Sequence, residues 1–327
     1  MRADPSDSGP KPRFRVGIVG CGRIASVHLE TLERLATTEV VALCDRREEA
    51  ARELAERHGI AKVYSDVEGM LREQQLDSVH ILTPPLTHRE LVEQACAAGA
   101  HVYVEKPLAV SEADARAMMA AAASAGRTIC PGHNRLFDPV FLRAKRRVAA
   151  GEIGRVVAVR AEQGFSYESA ARSAQIPWSY QYDWGIQDNL LPHPLYLASH
   201  FLEQPRDPQV VALDLGRVRE AAVEELRILI PSATVVAEVA LSLVSAPERN
   251  RVEIVGTRGR LAVDLGGLSL VSERKSFLPS SIGRLWNSLS ISGQLVRAVT
   301  GTTAGVALGR VQRYPGMRRL IAEFYES

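Results

Sequence analysis

Cysteine and long apolar runs are scarce in this chain, and each shortage excludes something. The four cysteines (Cys21, Cys44, Cys96, Cys130) stand far apart with no C-x-x-C pair. Neither a disulfide framework nor a zinc site is indicated, no metal is expected, and a reducing cytoplasmic setting fits. No uninterrupted apolar stretch reaches the roughly 20 residues of a membrane span. Residues 1–12 hold two aspartates and three prolines without an apolar run, which reads as a disordered lead-in and not as a signal peptide. The net charge of +2 demands no nucleic acid. What remains is 327 residues with 46% apolar and 24% charged side chains, ordinary for a globular protein and long enough for two domains.

The most informative stretch is 14–45. An apolar strand (Val16, Ile18, Val19) runs into Gly20-Cys21-Gly22-Arg23-Ile24-Ala25. A helical pattern follows (His28, Leu29, Leu32, Leu35), and a second apolar run, 40–44, ends at Asp45. This is β-loop-α-β with the fingerprint G-x-G-x-x-A. Gly20 allows the tight turn, Gly22 lets a pyrophosphate approach the backbone, and Ala25 lets the helix pack on the strand. The loop residues Cys21, Arg23 and Ile24 lie against that pyrophosphate, at a helix N-terminus that favours an anion. Asp45 is placed to accept hydrogen bonds from ribose hydroxyls. A carboxylate there repels a 2′-phosphate, so NAD is expected over NADP, although Arg46 and Arg47 offer guanidinium groups for phosphate or adenine.

Beyond Asp45, helical patterns at 46–58, 67–74, 88–98 and 111–125 alternate with apolar strands at 63–64, 78–82, 101–104 and 128–130. That alternation argues a doubly wound parallel sheet, a Rossmann domain over 13–130. The strand at 78–82 ends in Thr83-Pro84-Pro85, and the strand at 101–104 ends in Glu105-Lys106-Pro107. Ligands of open parallel sheets bind beside such carboxyl ends, so Thr83, Pro84, Glu105 and Lys106 are cofactor-side candidates. From 131 the pattern changes. A basic helix at 140–150 is followed by strands at 156–163, 210–215, 223–230, 235–244, 251–255 and 260–265 at hairpin-like spacing. They predict a second, mostly antiparallel open sheet in a C-terminal α/β domain, 131–327.

The residues now assembled resemble the Gfo/Idh/MocA family of NAD(P)-dependent sugar and cyclitol oxidoreductases. The resemblance rests on GIVGCGRIA at 17–25, TPPLTH at 83–88, AGAHVYVEKPLA at 98–109, GEIGRV at 151–156, VEIVGTRGRL at 252–261 and GMRRLIAEFY at 316–325. It implies a Rossmann domain, a second domain carrying substrate contacts and a homo-oligomer interface (dimer or tetramer), and Lys106 near nicotinamide and substrate hydroxyl. The family's D-x-x-x-H element corresponds to Asn189 and His193, with Asn189 where aspartate is usual and Asp188 one residue away. Histidine, with a pKa near neutrality, suits exchange of the hydroxyl proton. At i, i+4 spacing Asn189 and His193 would share a helix face, unless Pro192 delays the helix start. His88 resembles a family histidine near the cofactor, and Arg135 an arginine at the domain junction. Trp178, with Tyr180, Tyr182 and Trp184, offers stacking faces for a sugar or base.

The expected activity is therefore hydride transfer between NAD and a secondary alcohol or ketone of a sugar, including nucleotide-activated or other anionic sugars. Redox-neutral sugar chemistry with recycled NAD, and a non-catalytic NAD-binding sensor, are the alternatives. A last feature stands outside the resemblance. Between Glu273 and Glu323 there is no acidic residue but eight Lys or Arg, so the rest of the chain sums to 2 − 8 = −6. Ile282, Leu285, Trp286, Leu289 and Val296 recur there at helical spacing. A basic helical excursion at about 274–312 is expected, packed on the protein, walling an anionic substrate or touching a membrane surface.

Overall fold

The computed structural model describes residues 13–166, 186–217, 223–275, 279–308 and 313–326. The expected lead-in and the aromatic cluster Trp178, Tyr180, Tyr182 and Trp184 lie outside them.

The first unit is built from β1 (Phe14–Val19), α1 (Ala25–Leu32), β2 (Thr38–Cys44), α2 (Glu48–His58), β3 (Lys62–Tyr64), α3 (Val67–Glu73), β4 (Ser78–Ile81), α4 (His88–Ala97), β5 (His101–Val104), α5 (Glu112–Ala125) and β6 (Ile129–Pro131). Its six strands run in the order β3-β2-β1-β4-β5-β6, all parallel. Every residue of β4 and the last four of β1 are buried, as a sheet covered on both faces requires. Local chemistry starts the helices. Asp66 and Ser111 each accept a hydrogen bond from the backbone N–H three residues on, at the heads of α3 and α5, the N-cap preference of short polar side chains.

The second unit spans Asn134–Gly316. It comprises α6 (Pro139–Ala149), β7 (Val156–Gly164), α7 (Ile186–Leu190), α8 (Pro192–Ser199), β8 (Gln209–Leu213), β9 (Glu225–Pro231), β10 (Val236–Ser242), β11 (Arg249–Gly256), β12 (Gly259–Asp264), β13 (Ser269–Arg274) and the long α9 (Ser280–Ala307). The seven strands follow β13-β12-β11-β7-β10-β9-β8. All pairings are antiparallel except β7 with β10 at the centre. One face packs its alternate residues, among them Val159, Ala161, Ile228, Val239 and Ile254, with Phe141 and Leu197 of the helices into one core.

Two sequence expectations need correction. The last helix, α10 (Pro315–Glu326), belongs from Met317 onward with the first unit and not with a domain running to 327. Its Tyr325, 6% exposed, hydrogen-bonds Ser78 and His80 of β4. And β13 was not anticipated, because its serine-rich alternation, SLVSER, lacks the apolar weight that marks a strand.

Candidate active-site residues

The glycine loop takes the form its spacing demands. Gly20 has φ +96°, and a Cβ on it would sit 2.8 Å from the Leu82 carbonyl carbon and 2.9 Å from the Thr83 nitrogen. This is a left-handed, closely approached position that glycine alone adopts without strain. Gly22 differs: a Cβ there would meet nothing within 4 Å. That open space beside the head of α1, whose N-terminus no side chain caps, fits a pyrophosphate. Asp45 is held by the loop itself. Its Oδ2 accepts from the Cys21 backbone N–H at 2.8 Å and its Oδ1 from that of Arg47 at 2.9 Å. Each oxygen keeps a lone pair for a ribose hydroxyl. These residues fit a dinucleotide. Burial, then the Asp45 charge, push the Cys21 thiol up to about 12, so it stays protonated.

Behind the Glu105-Lys106-Pro107 element lies a buried chain of hydrogen bonds. Lys106 donates its backbone N–H to Glu105 Oε2 at 3.2 Å, while Glu105 Oε1 meets His28 Nε2 at 3.3 Å. His28 Nδ1 faces His80 Nδ1 at 2.8 Å, His80 Nε2 faces the Tyr325 hydroxyl at 2.8 Å, and Tyr325 faces Ser78 Oγ at 2.7 Å. One proton assignment satisfies every member with both rings neutral. Ser78 donates to Tyr325, Tyr325 to His80 Nε2, His80 Nδ1–H to His28 Nδ1, and His28 Nε2–H to Glu105. Both rings are fully inaccessible. Desolvation, then the neighbouring His28, hold His80 well below the usual histidine range. Burial likewise raises the Tyr325 phenol.

In the second unit, α7 and α8 are separated by Leu191, which keeps helical torsions while Pro192 opens α8. Proline has no N–H to continue the helix ladder. Asn189 and His193 therefore sit on successive helices and not on one continuous face; Asn189 is 8% exposed, and Asp188 is half-buried. His193 Nδ1 lies 2.8 Å from the Tyr196 hydroxyl, which donates to Asn134 Oδ1 at 3.2 Å and accepts from the Arg135 backbone N–H at 3.2 Å. A phenol has one proton. Given to Asn134, it obliges His193 to carry its own proton on Nδ1 and leaves the Nε2 lone pair as the basic position.

The structure joins Gly20, Cys21, Gly22 and Asp45 in one loop system and places exposed Arg23 and Arg46 at its rim, with Ile24 at the head of α1. Thr83, half-buried, and Pro84, exposed, follow β4. His88 is corrected: its ring is fully buried, Nδ1 facing Leu108 O at 3.1 Å and Nε2 facing Thr83 O at 2.8 Å. It clamps two loops together and has no open edge for a ligand. Glu105 is likewise buried, and its carboxylate accepts from the Lys106 backbone N–H. The Arg135 guanidinium lies against the side-chain amide of Asn250 on β11, whose oxygen accepts from it once the amide is turned. Sequence reading missed His28, His80, Tyr196 and Tyr325. The only available signal was a polar side chain at an apolar position of its element.

Two family models match the chain: "Oxidoreductase family, NAD-binding Rossmann fold" over residues 14–133, and "GFO/IDH/MocA C-terminal domain" over 141–262. The chain belongs to the Gfo/Idh/MocA family. Among relatives in this family, D-apiose dehydrogenase of Paraburkholderia graminis is 38% identical over 142 residues, 43% of this chain and 38% of that protein. Myo-inositol 2-dehydrogenase of Thermotoga maritima is 34% identical over 142 residues, 43% of this chain and 42% of that protein. The match thus spans about two fifths of these Gfo/Idh/MocA relatives. The fold is shared with the WlbA dehydrogenase from Bordetella pertussis, solved in complex with NADH and UDP-GlcNAcA. There the TM-score is 0.71 at 20% identity, covering 96% of this chain and 94% of that one.

Proposed function

We propose that this protein is an NAD-dependent oxidoreductase that moves hydride between the nicotinamide and a secondary alcohol or ketone carbon of a sugar or cyclitol. The observation that carries the reading is Lys106: it follows β5 directly, in the unit that holds the Gly20–Gly22 loop and Asp45, with its backbone fixed by Glu105. Bound NAD supplies the two-electron acceptor. Lys106 orients the substrate hydroxyl and stabilises negative charge developing on its oxygen, an electrostatic role suited to an ammonium group at a strand end. His193 Nε2 takes the hydroxyl proton in oxidation and returns it in reduction. Tyr196 and Asn134 hold the ring in the competent tautomer, the task an aspartate would otherwise share. Asn189, Asp188 and Arg135 are assigned to orienting this region and contacting substrate.

The relatives named for D-apiose and myo-inositol support a polyol substrate, although their similarity is confined to part of the chain. Nucleotide-activated or other anionic sugars are the finer reading, as is homo-oligomer formation through the open sheet, where Val211, Leu229 and Val236 stand exposed. The sensor reading rested on Asn189 replacing aspartate, and the Tyr196–Asn134 support of His193 removes most of its force. The deciding test is Lys106→Ala. Turnover should fall by about two to four orders of magnitude, the scale of a lost charge stabiliser or proton-handling group, with NAD binding kept. Turnover near that of the parent protein would refute the assignment.

A further inference from the structure

The helix Ser280–Ala307 (α9) is docked by its polar side. Gln294 bridges the β13 backbone, accepting from Ser272 N–H at 2.9 Å and donating to Ser272 O at 2.9 Å, and Asn287 donates to Arg274 O at 3.3 Å. The opposite side carries the large apolar residues. Ile282, Leu285, Trp286, Leu289 and Val296 are 56–64% exposed and Leu295 and Val299 42% and 59%; at 3.6 residues per turn the seven fall within an arc of about 180°, with Arg284 and Arg297 at its two edges. This inverts the usual arrangement, in which a surface helix turns its apolar stripe to the core.

Charge narrows what covers the stripe. Of the eight basic residues between Glu273 and Glu323, Arg274 pairs with Glu152, Arg318 with Glu30 and Arg319 with Glu323. The charges on the helix itself are Arg284 and Arg297, both exposed, and no acid accompanies them. A two-fold contact between copies would set this segment against itself and oppose like charges. An anionic surface has no such conflict. Among the described residues no helix is long and apolar enough to cross a membrane, but a helix about 42 Å long with an apolar stripe and bordering arginines suits the plane of a headgroup layer.

We infer that α9 docks the protein on an anionic lipid bilayer, with Trp286 and its apolar neighbours entering the interface and Arg284 and Arg297 meeting lipid phosphates. The proposal does not depend on the oxidoreductase reading, and its test needs no cofactor or substrate. Full-length protein is floated with phosphatidylcholine vesicles with and without phosphatidylglycerol, at low and high salt. Binding should require phosphatidylglycerol and weaken with salt. Leu285→Asp with Leu289→Asp should lower the partition coefficient at least tenfold, and Arg284→Gln with Arg297→Gln severalfold at low salt only. Brominated lipid should quench emission from the parent protein but not from Trp286→Phe, a readout that stands even if the aspartate variant fails to fold. Absence of flotation, or absence of Trp286 quenching, overturns the proposal. So does lipid-free self-association that the aspartate pair abolishes, which would assign the stripe to a second copy.

Discussion

At the scale of single residues, His193 is oriented by a neutral phenol–amide pair, and that difference is measurable. Tyr196→Phe removes the acceptor of the Nδ1 proton. Turnover is expected to fall by about tenfold to a hundredfold, within the range of general-base effects, and the pH dependence of kcat should shift while KM for NAD stays put. An unchanged pH profile would separate Tyr196 from His193 function. Asp138, before α6, is a second case. Burial pushes its carboxyl up to about 6, despite Arg135 and the Gly316 backbone N–H, both of which act to lower it. The folded state therefore holds its proton more tightly than the unfolded chain does. Its contribution to stability is greatest below the unfolded value near 3.9 and is lost as pH rises through about 6. Asp138→Asn keeps an oxygen to accept from Gly316 and should raise thermal stability at pH 7, by at most about 3 kcal/mol. A lower Tm at pH 7 would contradict the sign.

At the scale of elements, the two loop glycines separate folding from binding. Gly20→Ala forces a Cβ against the end of β4 at a positive φ and should destabilise the first unit. Gly22→Ala meets no protein atom, so thermal unfolding should be unchanged while NAD affinity drops about tenfold or more; calorimetry with titration reads both. Tyr325→Phe leaves His80 Nε2 buried without its donor, a loss of about 1–3 kcal/mol, although 245 residues separate the partners. That distance explains what the sequence could and could not show. The cofactor loop was legible because its glycines, strand and terminal acid lie within one short run whose spacing is itself the mechanism. The His28–His80–Tyr325 chain was not, since nothing local pairs β4 with a helix at the other end of the chain. The break between α7 and α8 was half legible: Pro192 announced it, but Leu191 keeps helical torsions across it.

At the scale of the whole molecule, similarity and chemistry are unevenly distributed. The first unit carries the Rossmann match over residues 14–133, and the C-terminal family match covers 141–262. The second carries His193, the open sheet and a helix with an inverted apolar face. The most direct measurement is reduced-nicotinamide absorbance on purified protein with NAD, across free sugars, cyclitols and nucleotide sugars, run beside Lys106→Ala. NADH should appear with at least one polyol substrate, and its formation should fall in the variant by about two to four orders of magnitude. NAD binding without NADH formation or consumption in either direction, over the whole panel and its keto forms, would contradict it.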